Sequence, residues 1–295
     1  MNYPQTPTDV IEQFTRNKES VSFLNGIKAV FIRNFKILLQ YKFTIVVGFI
    51  NTLIAASLFY YVSLLVPQNT IMQDGYVVSS VLFIFAGAML VDISTKILMK
   101  SMNSFTSEMR QGTFETLSCM PFGLKRYFVS EITFEVFYGL IVSIINYIPV
   151  FLIFPIFVGF NISWKSLLSL LLLLVCIIIF FFSLSLLAAN FTILVKRGRE
   201  ISMVIIGLIH LLSGSLFPLD LFPQWLQIIA YFSPMTIAVR ASRLCLFGNG
   251  TITSEIVWIA IIALILSSVL ILFLFNITYK KIYNKIREKG TIHEF

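Results

Sequence analysis

The chain has 295 residues, 58% of them hydrophobic and only 12% charged, with a mean hydropathy of +0.90 and a net charge of +8. A soluble domain carries about 25% charged residues, so this composition excludes a chain that covers itself with a hydrated surface. The positive balance does not mark a nucleic-acid binder either, because the lysines and arginines are dispersed in short clusters between long uncharged runs.

Those uncharged runs fall at 43–66, 75–91, 136–164, 166–195, 201–219, 221–239 and 256–279. Each is at or near the roughly 20 apolar residues that a helix needs to cross a hydrocarbon core. Cys119, Cys176 and Cys245 show no paired spacing, so neither a disulfide framework nor a zinc site is expected.

Residues 1–20 are polar, contain Pro4 and Pro7, and read as a flexible N-terminus. In 21–42, Leu24, Ile27, Phe31, Phe35 and Leu38 recur at helical spacing, with Lys28, Arg33, Lys36 and Gln40 on the other side. This predicts a basic amphipathic helix lying in the membrane interface. The first span is expected at 43–66, retained as a signal anchor. The second is expected at 77–99 and carries Asp92 and Lys96, four apart on one helix face. An ion in mid-membrane is costly. The pair reads either as a mutually neutralised contact or as a polar floor of a translocation path.

The loop 101–131 follows, with Glu108, Arg110 and Glu115 predicted on a short helical stretch ending before Pro121. The third span is expected at 134–159, where Pro149 and Pro155 should kink or interrupt it. The fourth is expected at 166–194 and the fifth at 201–217, the latter holding His210 as a structural hydrogen-bonding residue. Asn51, Asn146 and Asn190 lie in apolar runs and are expected to make helix–helix contacts. Residues 218–243 could form a seventh span by charge alone, but Pro218, Pro223 and Pro234 interrupt them. Lipid cannot replace the hydrogen bonds that proline removes, so this segment reads as two short re-entrant helices dipping into the outer half of the membrane. The sixth span is expected at 256–279, with a basic tail at 280–295.

With six spans both termini lie on one side. That side then carries every one of the 22 basic residues except Lys165, Arg240 and Arg243, which makes it cytoplasmic. The expected fold is therefore an all-α membrane protein with an interfacial helix, six transmembrane helices and a re-entrant outer segment.

Two segments carry a family pattern. Glu108, Arg110, Gly112, Thr113, Glu115, Leu117 and Pro121 follow an acidic, basic, Gly-Thr, Glu, Leu, Pro order in the cytoplasmic loop. Gly214, Phe217, Pro218, Pro223, Trp225, Leu226, Pro234 and Arg243 follow in order before the last span. In both, the chain resembles the membrane subunits of type-2 ABC exporters, and the first motif is closest to the drug-exporter branch. The resemblance implies that the loop 101–131 forms a coupling helix docking into a separate cytoplasmic ATPase subunit, and that 218–243 forms an outer re-entrant gate. It also implies a second permease subunit, the same or homologous, in the plasma membrane.

No G-x-x-x-x-G-K-S/T phosphate loop occurs in these residues. ATP and Mg are therefore expected on the partner ATPase, with no catalytic, cofactor-binding or metal residue in this chain. An aromatic and apolar path suits a hydrophobic or amphipathic cargo such as a drug, peptide or lipid. Export of lipid-linked polysaccharide is the alternative within the same transporter type. A membrane-embedded lipid-modifying enzyme would need convergent acid–base groups near one interface. A gradient-driven transporter would need internal repeats. Neither pattern is present.

Overall fold

The computed structural model of the chain describes residues 23–40, 42–65, 71–73, 76–113, 116–117, 122–157, 163–195 and 198–289. The expected N-terminal segment 1–20 and the end of the tail lie outside them. Helix α1 spans Phe23–Gln40 and α2 spans Lys42–Leu65. A two-stranded antiparallel ribbon follows, β1 Ile71–Gln73 and β2 Tyr76–Val78, pairing Gln73 with Tyr76. The fold is thus all-helical apart from this ribbon, which the sequence reading did not include. Its signal was the Asp-Gly dipeptide between the strands, the pair most suited to a two-residue hairpin.

Helix α3 spans Ser80–Arg110, α4 Leu124–Phe157, α5 Trp164–Val195 and α6 Gly198–Leu212. A 3-10 turn at Leu219–Leu221 leads into α7 (Gln224–Phe232) and α8 (Pro234–Phe247), and α9 runs from Glu255 to Lys289. Among the described residues, four helical stretches are long and apolar enough to cross a membrane: Ser80–Arg110, Leu124–Ile145, Trp164–Val195 and Glu255–Ile282. Val46–Ala55 and Glu200–Leu212 are shorter apolar stretches.

Several boundaries differ from expectation for physical reasons. Helix α3 does not end at 99 but continues to Arg110, so Glu108 and Arg110 close a long helix instead of forming a short one. Helix α4 begins ten residues before the expected span, at Leu124, and stays helical through Pro149 and Pro155 to Phe157. Helix α6 stops at Leu212, because Gly214 adopts φ +61 and turns the chain. At about 22 Å it is short for a complete crossing. The segment after it does form two short helices, but the second runs on to Phe247.

Helices α3 and α5 form the centre, α3 touching α2, α4, α5, α6 and α8, and α5 touching α3, α4, α6, α8 and α9. Small residues Ala86, Gly87, Ala88, Ser94 and Ser101 are buried along it and admit close neighbours. Larger side chains fill the remaining space, with Leu98, Met102, Phe128, Ile132 and Phe181 all fully buried. Buried hydroxyls bond back to their own helix: Ser94 to the Leu90 carbonyl (2.7 Å), Ser101 to Ile97 (2.9 Å) and Thr106 to Met102 (2.8 Å). These three hydroxyls are thereby satisfied within the apolar interior. Asn190 ties α5 to α9 through the Phe275 carbonyl (3.1 Å) and Thr278 Oγ1 (2.9 Å), the helix contact its amide predicted. Outward, Leu168, Leu171 and Val175 of α5 and Ile262, Leu266 and Phe273 of α9 are exposed. So wide an apolar surface suits lipid as its solvent.

Candidate functional site: a clamp at the loop and an arginine bolt

At the end of α3 the chain must leave the helix with its last carbonyls satisfied. Gly112 adopts φ +69, a conformation open to glycine and to few other residues. The Gly112 amide donates to the Met109 carbonyl and the Thr113 amide to the Glu108 carbonyl, each at 3.2 Å. This is the Schellman arrangement of helix ends. Thr113 Oγ1 also donates to the Glu108 carbonyl (3.0 Å) and to Glu108 Oε2. The Gly-Thr pair therefore ends the helix and fixes the Glu108 side chain at the same time.

Glu108 is then held from outside its own helix. Its Oε1 accepts from Arg33 Nη1 of α1 (3.0 Å) and from the Tyr127 hydroxyl of α4 (3.0 Å). Arg33 Nη2 reaches Tyr127 Oη (2.9 Å) and Glu131 Oε2 (3.1 Å). Asn34 Nδ2 donates to the same Glu131 oxygen (2.8 Å), and Ser104 of α3 donates to Glu131 Oε1. One guanidinium thus binds two carboxylates, on the two helices that flank the loop between α3 and α4. Burial alone would lower the Arg33 pKa; Tyr127, Glu131 and Glu108 outweigh it and raise the guanidinium above its ordinary value. It remains a fixed cation.

Helix α1 seats itself on this clamp through a face next to its apolar stripe. Gly26, Val30 and Asn34 are buried, whereas Leu24 and Phe35 of the predicted stripe are exposed. Phe31 packs edge-on against Phe134 at 5.2 Å, and Phe23 stacks on Phe122 at 6.3 Å. Gly26 permits that approach, since a Cβ there would lie 2.0 Å from the Phe122 ring. The helix so presents one side to protein and leaves Leu24, Ile32, Phe35 and Leu39 exposed.

Of the predicted coupling residues, Glu108 is at the centre of the clamp, Gly112 and Thr113 form the cap, and Leu117 is buried. Arg110 is exposed on the last turn of α3, and Glu115 and Pro121 lie outside the described residues. Sequence reasoning missed Arg33 as a partner, along with Asn34, Tyr127 and Glu131. The available signal was Glu131 and Glu135, spaced four apart where the third apolar run begins, opposite an arginine on an amphipathic helix.

On the other side of the molecule the second motif assembles around Arg243. This side chain is 1% exposed. Its Nε donates to the Phe83 carbonyl (3.2 Å), Nη1 to Gly214 (3.0 Å) and Nη2 to Ser215 (2.7 Å). The guanidinium also lies 3.5 Å from the centre of the Phe83 ring. A cation at the carbonyl end of α6 complements that helix dipole, and Thr236 Oγ1 caps the Leu212 carbonyl at 2.7 Å. Gly214 is buried beside Arg243, and Pro234 begins α8 at a position where its missing amide costs nothing. Pro223 caps α7. Phe217 and Trp225 are exposed, at 46% and 64%, and do not join the bolt. Asp92 and Lys96 form the predicted ion pair, 2.7 Å apart on α3, each about one-third exposed.

The chain matches the sequence profile of the family described as ABC-2 type transporter over residues 25–247. No curated protein matches it. That span contains both the clamp and the bolt. The chain belongs to the ABC-2 type transporter family, as a non-catalytic membrane subunit of an ABC transporter that pairs with an ATPase subunit.

Proposed function

We propose that this chain forms half of the translocation path of an ATP-driven exporter in the plasma membrane, with six spans and both termini cytoplasmic. A second permease chain completes the path, and ATP and Mg are held by the ATPase subunits. Cargo is hydrophobic or amphipathic: a drug, peptide or lipid.

The observation that carries the reading is the hold of Arg33 on both Glu108 and Glu131. Glu108 stands at the exit of α3 into the loop on which an ATPase would press, and Glu131 stands on the helix where the chain re-enters. A push on that loop reaches α1, α3 and α4 together, through charge-assisted hydrogen bonds shorter and stronger than neutral ones. The outer segment, held by Arg243 across α3, α6 and α8, closes the path at the far side. ATP closure then favours one arrangement of the spans over the other, which is the only way a ligand can drive a conformational change.

The test is transport by the chain and its ATPase subunit in proteoliposomes, with and without ATP. Glu115→Arg should weaken ATPase co-purification and uncouple hydrolysis from transport. Normal co-purification and normal coupled ATPase in that variant would overturn the docking assignment.

A further inference from the structure

A cavity of about 420 Å³ lies beside the clamp, between α1, α3 and α4. That volume falls in the usual range for small-ligand sites. Its walls include Ile37 of α1, Asn103 and Ser107 of α3, and Phe134, Glu135 and Tyr138 of α4.

Three carboxylates border the cavity, and two of them are satisfied. Glu108 is held by Arg33, Tyr127 and Thr113, and Glu131 by Arg33, Asn34 and Ser104. Glu135 differs. Its Oε2 is sealed from solvent and has no hydrogen-bond partner among the described residues. A buried acceptor left unmade is costly, and more so when charged.

The nearby lysine does not fill the role. Lys100 is exposed, and its Nζ sits over the Tyr138 ring, 4.9 Å from the centre. Among the described residues, no ion pair joins it to Glu135. The charged groups lining the cavity are Arg33 and Lys100 against Glu108, Glu131 and Glu135. Of the three carboxylates, Glu135 is the one with a buried oxygen that no described residue satisfies. Glu135 lies about 16 Å along α4 from Leu124, directly before the uncharged apolar run that starts at 136. A ligand that bridges this polar lining and the apolar run beyond it has a polar head and an apolar tail. Ile37, on α1, is exposed and offers an apolar edge.

We propose that this cavity binds the primary ammonium group of a single-chain or lipid amphiphile, with the ammonium paired to the Glu135 carboxylate. A primary ammonium is preferred to a quaternary one because it has N–H groups to donate. The cavity shares Arg33, Glu108 and Glu131 with the clamp, but amine binding without nucleotide and ATP-coupled transport are separate readouts, so either assignment can fail alone.

The test is equilibrium binding of radiolabelled dodecylamine to the permease with its ATPase subunit, without nucleotide, in nanodiscs of phosphatidylcholine and phosphatidylglycerol. Dodecanol and dodecyltrimethylammonium serve as comparisons. The expected result is saturable binding in which dodecylamine exceeds dodecanol by about tenfold or more, the worth of one charge-assisted hydrogen bond. Glu135→Gln preserves shape and should abolish that preference, with the thermal midpoint of the variant measured alongside. Lys100→Met removes the neighbouring cation and should tighten dodecylamine binding several-fold. Equal binding of amine and alcohol would overturn the proposal, as would an amine preference that survives Glu135→Gln. Nanodiscs containing phosphatidylethanolamine identify the source. Competition with dodecylamine assigns the site to a lipid headgroup, and its absence assigns it to an amphiphile that enters separately.

Discussion

Gly87 and Arg243 occupy one space: a Cβ built on Gly87 would lie 2.2 Å from Arg243 Nη2 and 2.4 Å from the Ser215 carbonyl oxygen. This glycine of α3 is therefore the socket for an arginine 156 positions later in the chain, counting from 87 to 243. Gly87→Ala should destabilise the protein by about 1–3 kcal/mol, the usual cost of overpacking. Arg243→Met strands three carbonyls and should cost more than about 3 kcal/mol. The double variant should lose less than the sum, because removing the guanidinium relieves part of the clash. Thermal unfolding of the purified protein, followed by tryptophan fluorescence, reads all three. Simple additivity to within about 0.5 kcal/mol would mean the two residues do not share a site.

The clamp makes a second prediction. Arg33→Met leaves Glu131, whose side chain is only 2% exposed, without its cation. Breaking a buried pair in this way costs about 3–5 kcal/mol. The lower end applies here, since the Arg33 side chain is itself 37% exposed and solvent screens it. Adding Glu131→Gln to Arg33→Met should restore most of the lost stability without restoring ATP-coupled transport. Recovery of both would show the clamp to be structural only.

At the end of α3, nothing lies within 4 Å of a Cβ placed on the Gly112 backbone, so any penalty there is conformational. Gly112→Ala should cost about 1–2 kcal/mol through the left-handed backbone. Gly112→Asn should cost less, because asparagine tolerates that region. ATPase co-purification and coupling should follow the order glycine, asparagine, alanine. Wild-type behaviour in the alanine variant would be incompatible with a left-handed cap in the working protein.

Topology supplies the fourth prediction. With an even number of spans, a cysteine in place of Lys285 is shielded from an impermeant thiol reagent in intact cells and labels only after permeabilisation. Residue 285 lies on α9 below its apolar portion. Labelling before permeabilisation would require an odd number of crossings.

What the sequence disclosed depended on the range of the interactions involved. Apolar length and charge placement are local, so Trp164–Val195 and the apolar part of Glu255–Lys289 could be read directly. Proline placement likewise announced the break between α7 and α8. Helix ends were harder. Nothing in composition says that α3 carries on to Arg110, because the polar stretch after Lys100 looks like loop until α1 and α4 are packed against it. The clamp joins residues far apart in the chain, Arg33 with Glu108 and Glu131, so the spacing of Glu131 and Glu135 hinted at a polar site but could not name its cation. Arg33 read as a member of a solvated face. Arg243 was legible as part of a motif but not as a bolt, since its partners are backbone carbonyls, which every sequence has. Gly87 gave no signal at all without its neighbour in view.

Helix α1 has exposed Leu24, Ile32, Phe35 and Leu39 on one side, while Arg33 and Asn34 grip the clamp. In the proposed interfacial seat, floating depth and mechanical linkage would be set by one helix. Anything that lifted or sank it, such as acyl-chain length, lateral pressure or the density of anionic headgroups, would then also pull on Glu131. On that proposal the bilayer is a standing load on the transport cycle, and turnover should change with the lipid in which it is measured.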